Sequence, residues 1–314
     1  MGNSRALPQS SPIQGVVRGI QGTWDRFWYP STEPFDIGFA RFLFFGWVLY
    51  STLHRNFVVW GDLPIELFYP MPFMKLVNYQ VVSASTLEIF QDLWRVSLFL
   101  GCIGFFTRIS ALVACILTTY LWTLTYGFSQ EAHGSIPLIF AMFVLAVSRS
   151  ADAFSVDSLL FRTRNQTRKA SPDYGWPARL ICCIYVLMFF ASAVSKIRSS
   201  GFEWGLHALT DTFYKFRIDA SPARLRTIDF FLNHFPMHLV GMGALLLELA
   251  APLALFFRGV VRVIILSSLV IMQLVIFSAM GLDFRPTFSL IPFFVPWTSL
   301  RRVLSERARS VFSR

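Results

Sequence analysis

The sequence predicts an all-α fold, a polytopic transmembrane helical bundle of about eight spans with short interfacial helices. Three observations lead there. Of 314 residues, 54% are hydrophobic, only 15% are charged and 34 are phenylalanine, which is too apolar for a soluble chain of this length. Apolar windows about as long as a bilayer is thick recur along the chain. Lys and Arg collect in the short segments between those windows, where they act as orientation signals.

The windows fall near 35–53, 91–107, 108–127, 133–148, 176–197, 235–257, 260–281 and 286–300. The fourth and eighth are short, and the second and third nearly fuse at Thr107-Arg108, so seven spans or one re-entrant segment is the alternative count. Residues 13–29 place Val16, Val17, Ile20, Trp24, Phe27 and Trp28 at helical spacing beside Arg18 and Arg26, as in a helix lying on a membrane. Gly15, Gly19 and Gly22 weaken that helix and leave an ordinary tail as the alternative. Residues 202–216 mix Phe202, Trp204, Leu206, Leu209 and Phe213 with polar groups, and Trp204 suits a headgroup-level anchor. The chain thus divides into 1–32, an N-terminal tail or interfacial helix; 33–300, the membrane domain; and 301–314, a basic tail.

Charge sets the direction. Arg149, Arg162, Arg164, Arg168, Lys169 and Arg179 crowd one segment, Arg258 and Arg262 flank another turn, and Arg301, Arg302, Arg307 and Arg309 follow the last window. These belong on the cytoplasmic side, so a multi-pass protein of the cell membrane with both termini cytoplasmic is expected. The net charge of +10 therefore reports topology, and nucleic acid is not an expected partner; membrane lipid is. Cys102, Cys115, Cys182 and Cys183 lie inside apolar runs without metal-ligand spacing, so neither a metal site nor a disulfide framework is expected. The first long apolar run begins only near Phe39, without the short basic and apolar pattern of a cleaved signal.

Few polar groups enter the windows: Asp36 and Arg41 in the first, Glu248 in the sixth and Gln273 in the seventh. They form no proton relay. Asp36 and Arg41 are expected to neutralise each other or neighbours in the bundle. Glu248, about 13 residues into its window, must be protonated, paired or exposed to an aqueous cavity, and a role in packing is expected of it. Lys196 ends the fifth window in "ASAVSKIRSSGFEWG" (191–205), and His133 opens the fourth on the same, outer side. A lysine at a helix end commonly snorkels to the headgroups, and a histidine there is commonly a solvated cap. Turned into a shared pocket, the Lys196 amine would lose hydration, which favours its neutral form, and it would serve as a general base.

Five stretches in this order resemble the vitamin K-dependent gamma-carboxylase-like membrane domain, also called the horizontally transferred transmembrane (HTTM) domain: "EPFDIGFARFLFFGWVLY" (33–50), "FTRISALVACILTTYLW" (106–122), "HGSIPLIFAMFVLAVSRSADAFSVDSLL" (133–160), "SAVSKIRSSGFEWG" (192–205) and "LLLELAAPLALFF" (245–257). The resemblance implies that Lys196 is the base that deprotonates a vitamin K-type (menaquinol-like) hydroquinone and that His133 is an active-site histidine beside it. It sets Gln273 near a further active-site histidine, and Trp204 and Gln273 are the expected quinol-binding residues. In that family the deprotonated hydroquinone reacts with oxygen, and the strong base so formed takes a glutamate γ-proton before carbon dioxide adds. Two departures stand out: Ser195 occupies the place of a second lysine in the animal enzyme, and the spacing from Lys196 to Trp204 is longer. The chain also ends soon after its last window, before the large soluble domain that engages the animal enzyme's protein substrate, so carboxylation of a propeptide-bearing protein is not expected, while a peptide or protein substrate stays open.

Two functions compete at this level. One is a membrane oxidoreductase or carboxylase-like enzyme acting on a lipid-soluble quinol whose tail lies between helices. The other is a noncatalytic membrane factor for maturation, export or immunity of another protein. A transporter would carry inverted repeats with paired broken helices, which the sequence lacks.

Overall fold

The structure, a computed structural model, describes residues 12–70, 72–128, 133–161 and 169–312. Among these residues the regular structure is helical, and the only extended pairing is a single bridge between Thr32 and Ser171. The helices are α1 (Pro12–Trp28), α2 (Pro34–Thr52), α3 (Ala84–Ile103), α4 (Thr107–Phe128), α5 (Ile136–Val147), α6 (Pro172–Ser200), α7 (Leu209–Ile218), α8 (Pro222–His234), α9 (Met237–Ala250), α10 (Val260–Met280) and α11 (Trp297–Phe312), with shorter helical turns between them.

Three of these, α4, α6 and α10, are long and apolar enough to cross a membrane. The α8–α9 pair, bent by 104° around Phe235-Pro236, would add a fourth if it formed one span. Each of the eight hydropathy windows overlaps helical residues, but several of those helices are short or less apolar. Helices α2 and α3 run 19 and 20 residues and carry Asp36 and Arg41, and Glu88, Asp92 and Arg95, respectively. Helix α5 has 12 residues. The last window is a 3-10 helix, Arg285–Phe294, rich in proline and followed by the start of α11. Pro286 and Pro292 lack the N–H that a continuous α-helix needs, which explains the tighter, shorter element. Residues 301–312, expected as a tail, continue α11.

Helix α6, 29 residues, is about 43 Å long at 1.5 Å per residue and overshoots a 30 Å hydrocarbon core. Ser171 starts it by accepting the Asp173 N–H at 3.2 Å, and Gly201, at φ 60°, ends it. The helices bury large side chains inward, Phe44, Phe45, Trp94, Leu98 and Tyr185 among them, and leave Phe99, Ile109, Phe140, Ile264 and Ile271 exposed outward. Helices apolar on both faces suit lipid better than water.

One end of the bundle gathers the starts of α2, α4 and α6 with α1 and α11. Arg41, fully buried, donates to Thr107 Oγ1 at 3.2 Å and to the Phe154 carbonyl at 2.6 Å. Asp157 accepts the Phe106 and Thr107 N–H groups, each at 2.8 Å, and the Thr107 hydroxyl at 2.7 Å, so it caps α4 from another segment. Asp36 accepts from the Thr298 N–H at 2.6 Å, and Glu33 pairs with Arg302. Asp36 and Arg41 thus bond to other segments, not to each other. Phe27 of α1 stacks on Phe256 and lies under the Arg179 guanidinium, which docks α1 as a helix.

At the opposite end, residues 53–70 and 74–83 cover the tips of α3 and α4. The Phe57 N–H donates to Gln91 at 2.7 Å, the Tyr69 N–H to the Gly127 carbonyl at 2.8 Å, and the Tyr79 hydroxyl to the Tyr120 carbonyl at 3.0 Å. Phe57, Trp94 and Trp122 pack edge to face beneath them, with the Trp94 N–H on Thr118.

The α3–α4 turn depends on Gly104. At φ 74° a side chain is strained, and an added Cβ would lie 2.1 Å from Arg41 Nη1. Gly104→Ala should lower stability by roughly 2 kcal/mol or more in a thermal melt. Gly243→Ala, where an added methyl meets nothing within 4 Å, should be neutral or stabilising; equal melting of the two variants would contradict the packing described.

Candidate functional site

Lys196 lies in the last turns of α6, and its partner is Glu248 of α9. The ammonium donates to both carboxylate oxygens at 2.7 Å. Trp204 completes the group: its ring lies 4.1 Å from the Lys196 nitrogen, measured to the centroid, so the cation meets a carboxylate on one side and an aromatic face on another.

Local sequence produces this arrangement. Gly201 stops α6, and the chain re-enters helix through a π turn, Trp204–Ala208, whose extra residue per turn reorients Trp204. That turn sits directly on α9 because two glycines face each other: an added Cβ on Gly241 would lie 2.3 Å from the Gly205 carbonyl oxygen, and one on Gly205 would lie 3.1 Å from the Met242 Cα. Ala193 is fully buried, which lets α9 come close to α6.

Burial within the pair is asymmetric. The Glu248 side chain is 6% exposed and that of Lys196 is 22% exposed, so the lysine side chain is partly accessible while the carboxylate is sealed. Leu246, Val194, Phe202 and Leu206 expose apolar surface on the same elements. An ammonium–carboxylate pair in apolar surroundings can pass its proton across the hydrogen bond, because the neutral amine and carboxylic acid avoid the cost of two buried charges.

The other expected site residues lie elsewhere. His133 opens a short 3-10 turn, His133–Ser135, at the head of α5, and its side chain lies outside the described residues. Gly134 and Ser135, which follow it, form part of the wall of a separate cavity. Gln273 is buried, and its amide exchanges hydrogen bonds with Thr287 at 3.2 and 3.4 Å, tying α10 to the 3-10 helix. Trp204, expected at headgroup level, lies against Lys196, and Glu248, expected to be protonated, paired or exposed to an aqueous cavity and to aid packing, is the direct partner of the lysine. The signal that could have found it is electrostatic: a carboxylate in the middle of an apolar window requires a cation nearby. No group of three or more His, Cys, Asp or Glu side chains among the described residues could hold a metal ion.

No protein family, curated protein or solved structure significantly matches the chain.

Removing one partner should leave a buried charge, so Lys196→Met should cost up to about 3–5 kcal/mol. The double variant Lys196→Met with Glu248→Leu should recover most of that loss. Thermal melts of the wild type, both single variants and the double variant in nanodiscs test this; additive losses would show that the two side chains do not stabilise each other.

Proposed function

We propose that this chain is a multi-pass membrane protein that acts on a lipid-soluble quinol of the vitamin K type, with Lys196 as the base and Glu248 as the acceptor of its proton. The observation that carries the reading is a partly accessible lysine whose ammonium is clamped on a sealed carboxylate beside an aromatic face. A quinol supplies an acidic hydroxyl and two reducing equivalents. Before such a hydroxyl can give up its proton, Lys196 must be a neutral amine. Transfer of one proton from Lys196 Nζ to a Glu248 oxygen, 2.7 Å away, provides that amine without moving either side chain. The amine then takes a proton from the substrate hydroxyl, so the net result is one proton stored on Glu248. Trp204 offers a flat surface to a ring, and the apolar residues around it suit an isoprenoid tail. His133, beside the base in the carboxylase-like domain that the sequence resembles, is assigned to the same reaction. Gln273 acts indirectly, through the 3-10 helix it fixes.

In this reading the eight helical segments form the membrane domain, with α5 and the 3-10 helix crossing only in part. The end that gathers the starts of α2, α4 and α6 faces the cytoplasm, and Lys196 faces outward. The concentration of Arg and Lys at the first end supports that direction. Cysteines placed at Lys169 and Ser200 test it in intact cells: Ser200→Cys should react with an impermeant reagent and Lys169→Cys should not, and the reverse pattern would contradict the orientation.

Lys196→Arg tests the chemistry. Arginine preserves the ion pair but does not release a proton at accessible pH. In nanodiscs, wild type should consume a vitamin K-type hydroquinone with oxygen, and Lys196→Arg should be slower by on the order of 10² or more while melting like wild type. Normal turnover by Lys196→Arg, or none by wild type, would overturn the enzymatic reading and leave the pair as a structural link in a noncatalytic membrane factor.

A further inference from the structure

A second polar site lies at the same end of the bundle, in a cavity of about 430 Å³, within the usual range for small-molecule sites. Its wall includes His54 and Arg55 after α2, Trp122 near the end of α4, Phe277 of α10, and Asp283 and Arg285 in the connection to the 3-10 helix. Neither Lys196 nor Glu248 contributes to it.

The charges in this cavity are unequal. Asp283 accepts from Arg285 Nε at 2.8 Å and Nη2 at 3.2 Å, a forked pair that the Arg285 N–H reinforces at 3.1 Å. Burial alone would push the Asp283 carboxyl up, but these hydrogen bonds and the charges of Arg285 and Arg55 hold it below the usual carboxylate range, so it is ionised at neutral pH. Arg55 stands apart, with Nη2 3.7 Å from Asp283, a loose ion pair without hydrogen-bond geometry. Its Nε is buried and has no hydrogen-bond partner among the described residues. One carboxylate thus faces two guanidinium groups, which leaves a positive charge and several N–H donors uncompensated.

Both guanidinium groups lie against aromatic rings. Arg55 lies over the Trp122 ring at 5.5 Å and Arg285 over the Phe277 ring at 4.0 Å. The carbonyl of Arg55 accepts from Arg95 at 3.1 Å, and that of Arg285 accepts from the Trp47 indole at 2.7 Å. The aromatic rings beneath both guanidinium groups, and for Arg285 the forked pair with Asp283, limit their motion before any ligand arrives, which reduces the side-chain entropy lost on binding.

We propose that this cavity binds an organic monocarboxylate, its carboxylate taken by Arg55 with help from Arg285 and its carbon body set against Trp122 and Phe277. A single excess positive charge matches one carboxylate better than a doubly charged phosphate. The forked guanidinium offers two parallel N–H donors to it. The aromatic walls favour a ligand with an apolar body over a bare inorganic ion. Lys196 and Glu248 do not line this cavity, and its test reads binding.

The test uses the full chain in nanodiscs of zwitterionic lipid and three probes of similar size: 3-phenylpropionate, 3-phenylpropanamide and phenyl phosphate. The carboxylate should raise the melting temperature in a dose-dependent way, the neutral amide should not, and phenyl phosphate should act only at higher concentration. Arg55→Gln should weaken the carboxylate by roughly 10-fold to 100-fold, the loss expected for hydrogen bonds to a charged group. Because the acid and amide are compared on wild type, the result stands even if Arg55→Gln fails to fold. Equal effects of acid and amide, tighter binding of the phosphate, an equal effect of sodium chloride at the same ionic strength, or no effect of any probe would each overturn the proposal.

Discussion

A carboxylate sealed among apolar helices requires a cation within reach, and Glu248 meets that requirement through Lys196. Much of the bundle beyond α5 serves this pair. Helix α6 must run on to its last turns before Lys196 can reach α9. Gly205 and Gly241 must lack side chains for the π turn to settle on α9 and bring Trp204 over the ammonium. The close approach of α6 and α9 through Ala193 and Ser192 depends on the same small residues. Ionic pairing in apolar surroundings gains less stability than its short distances suggest, since both groups surrender hydration. Its main consequence is specificity: α6 and α9 pack in one register.

The opposite end follows the same rule with different groups. Arg41 is fully buried and answers to neutral oxygens, Thr107 Oγ1 and the Phe154 carbonyl, with Asp157 completing the network through Thr107. This network is spread over three segments and a helix cap, so it staples the chain. The Lys196–Glu248 pair is concentrated in two side chains with one face reachable, which is the arrangement a proton-transfer site needs. The contrast separates the two ends chemically, although both consist of charges enclosed by apolar helices.

Much of this was legible in the sequence. Hydropathy located the helical segments, and the sparse charges in the windows marked Arg41 and Glu248 as residues that needed partners. The partners themselves were not legible, because Lys196 and Glu248 are 52 residues apart and meet only through tertiary packing. Trp204 looked like a membrane-surface anchor because aromatic residues after a span usually are; the extra residue of the π turn, which aims it at Lys196, leaves no periodic trace. The window at 286–300 had the apolar content of a span, but its prolines impose a 3-10 path. Arg55, Asp283 and Arg285 escaped notice because they stand in connections after α2 and α10, where charged residues are ordinary and periodicity offers no guide.

The central claim is that Glu248 is a carboxylate paired with Lys196 and takes up a proton when a quinol reacts. Infrared difference spectroscopy on the protein in nanodiscs tests it directly. The resting protein should show no protonated-carboxyl stretch assignable to Glu248, and mixing with a vitamin K-type hydroquinone under oxygen should produce such a band, absent from Glu248→Gln. A protonated Glu248 band already present at rest and unchanged by the quinol would contradict the account.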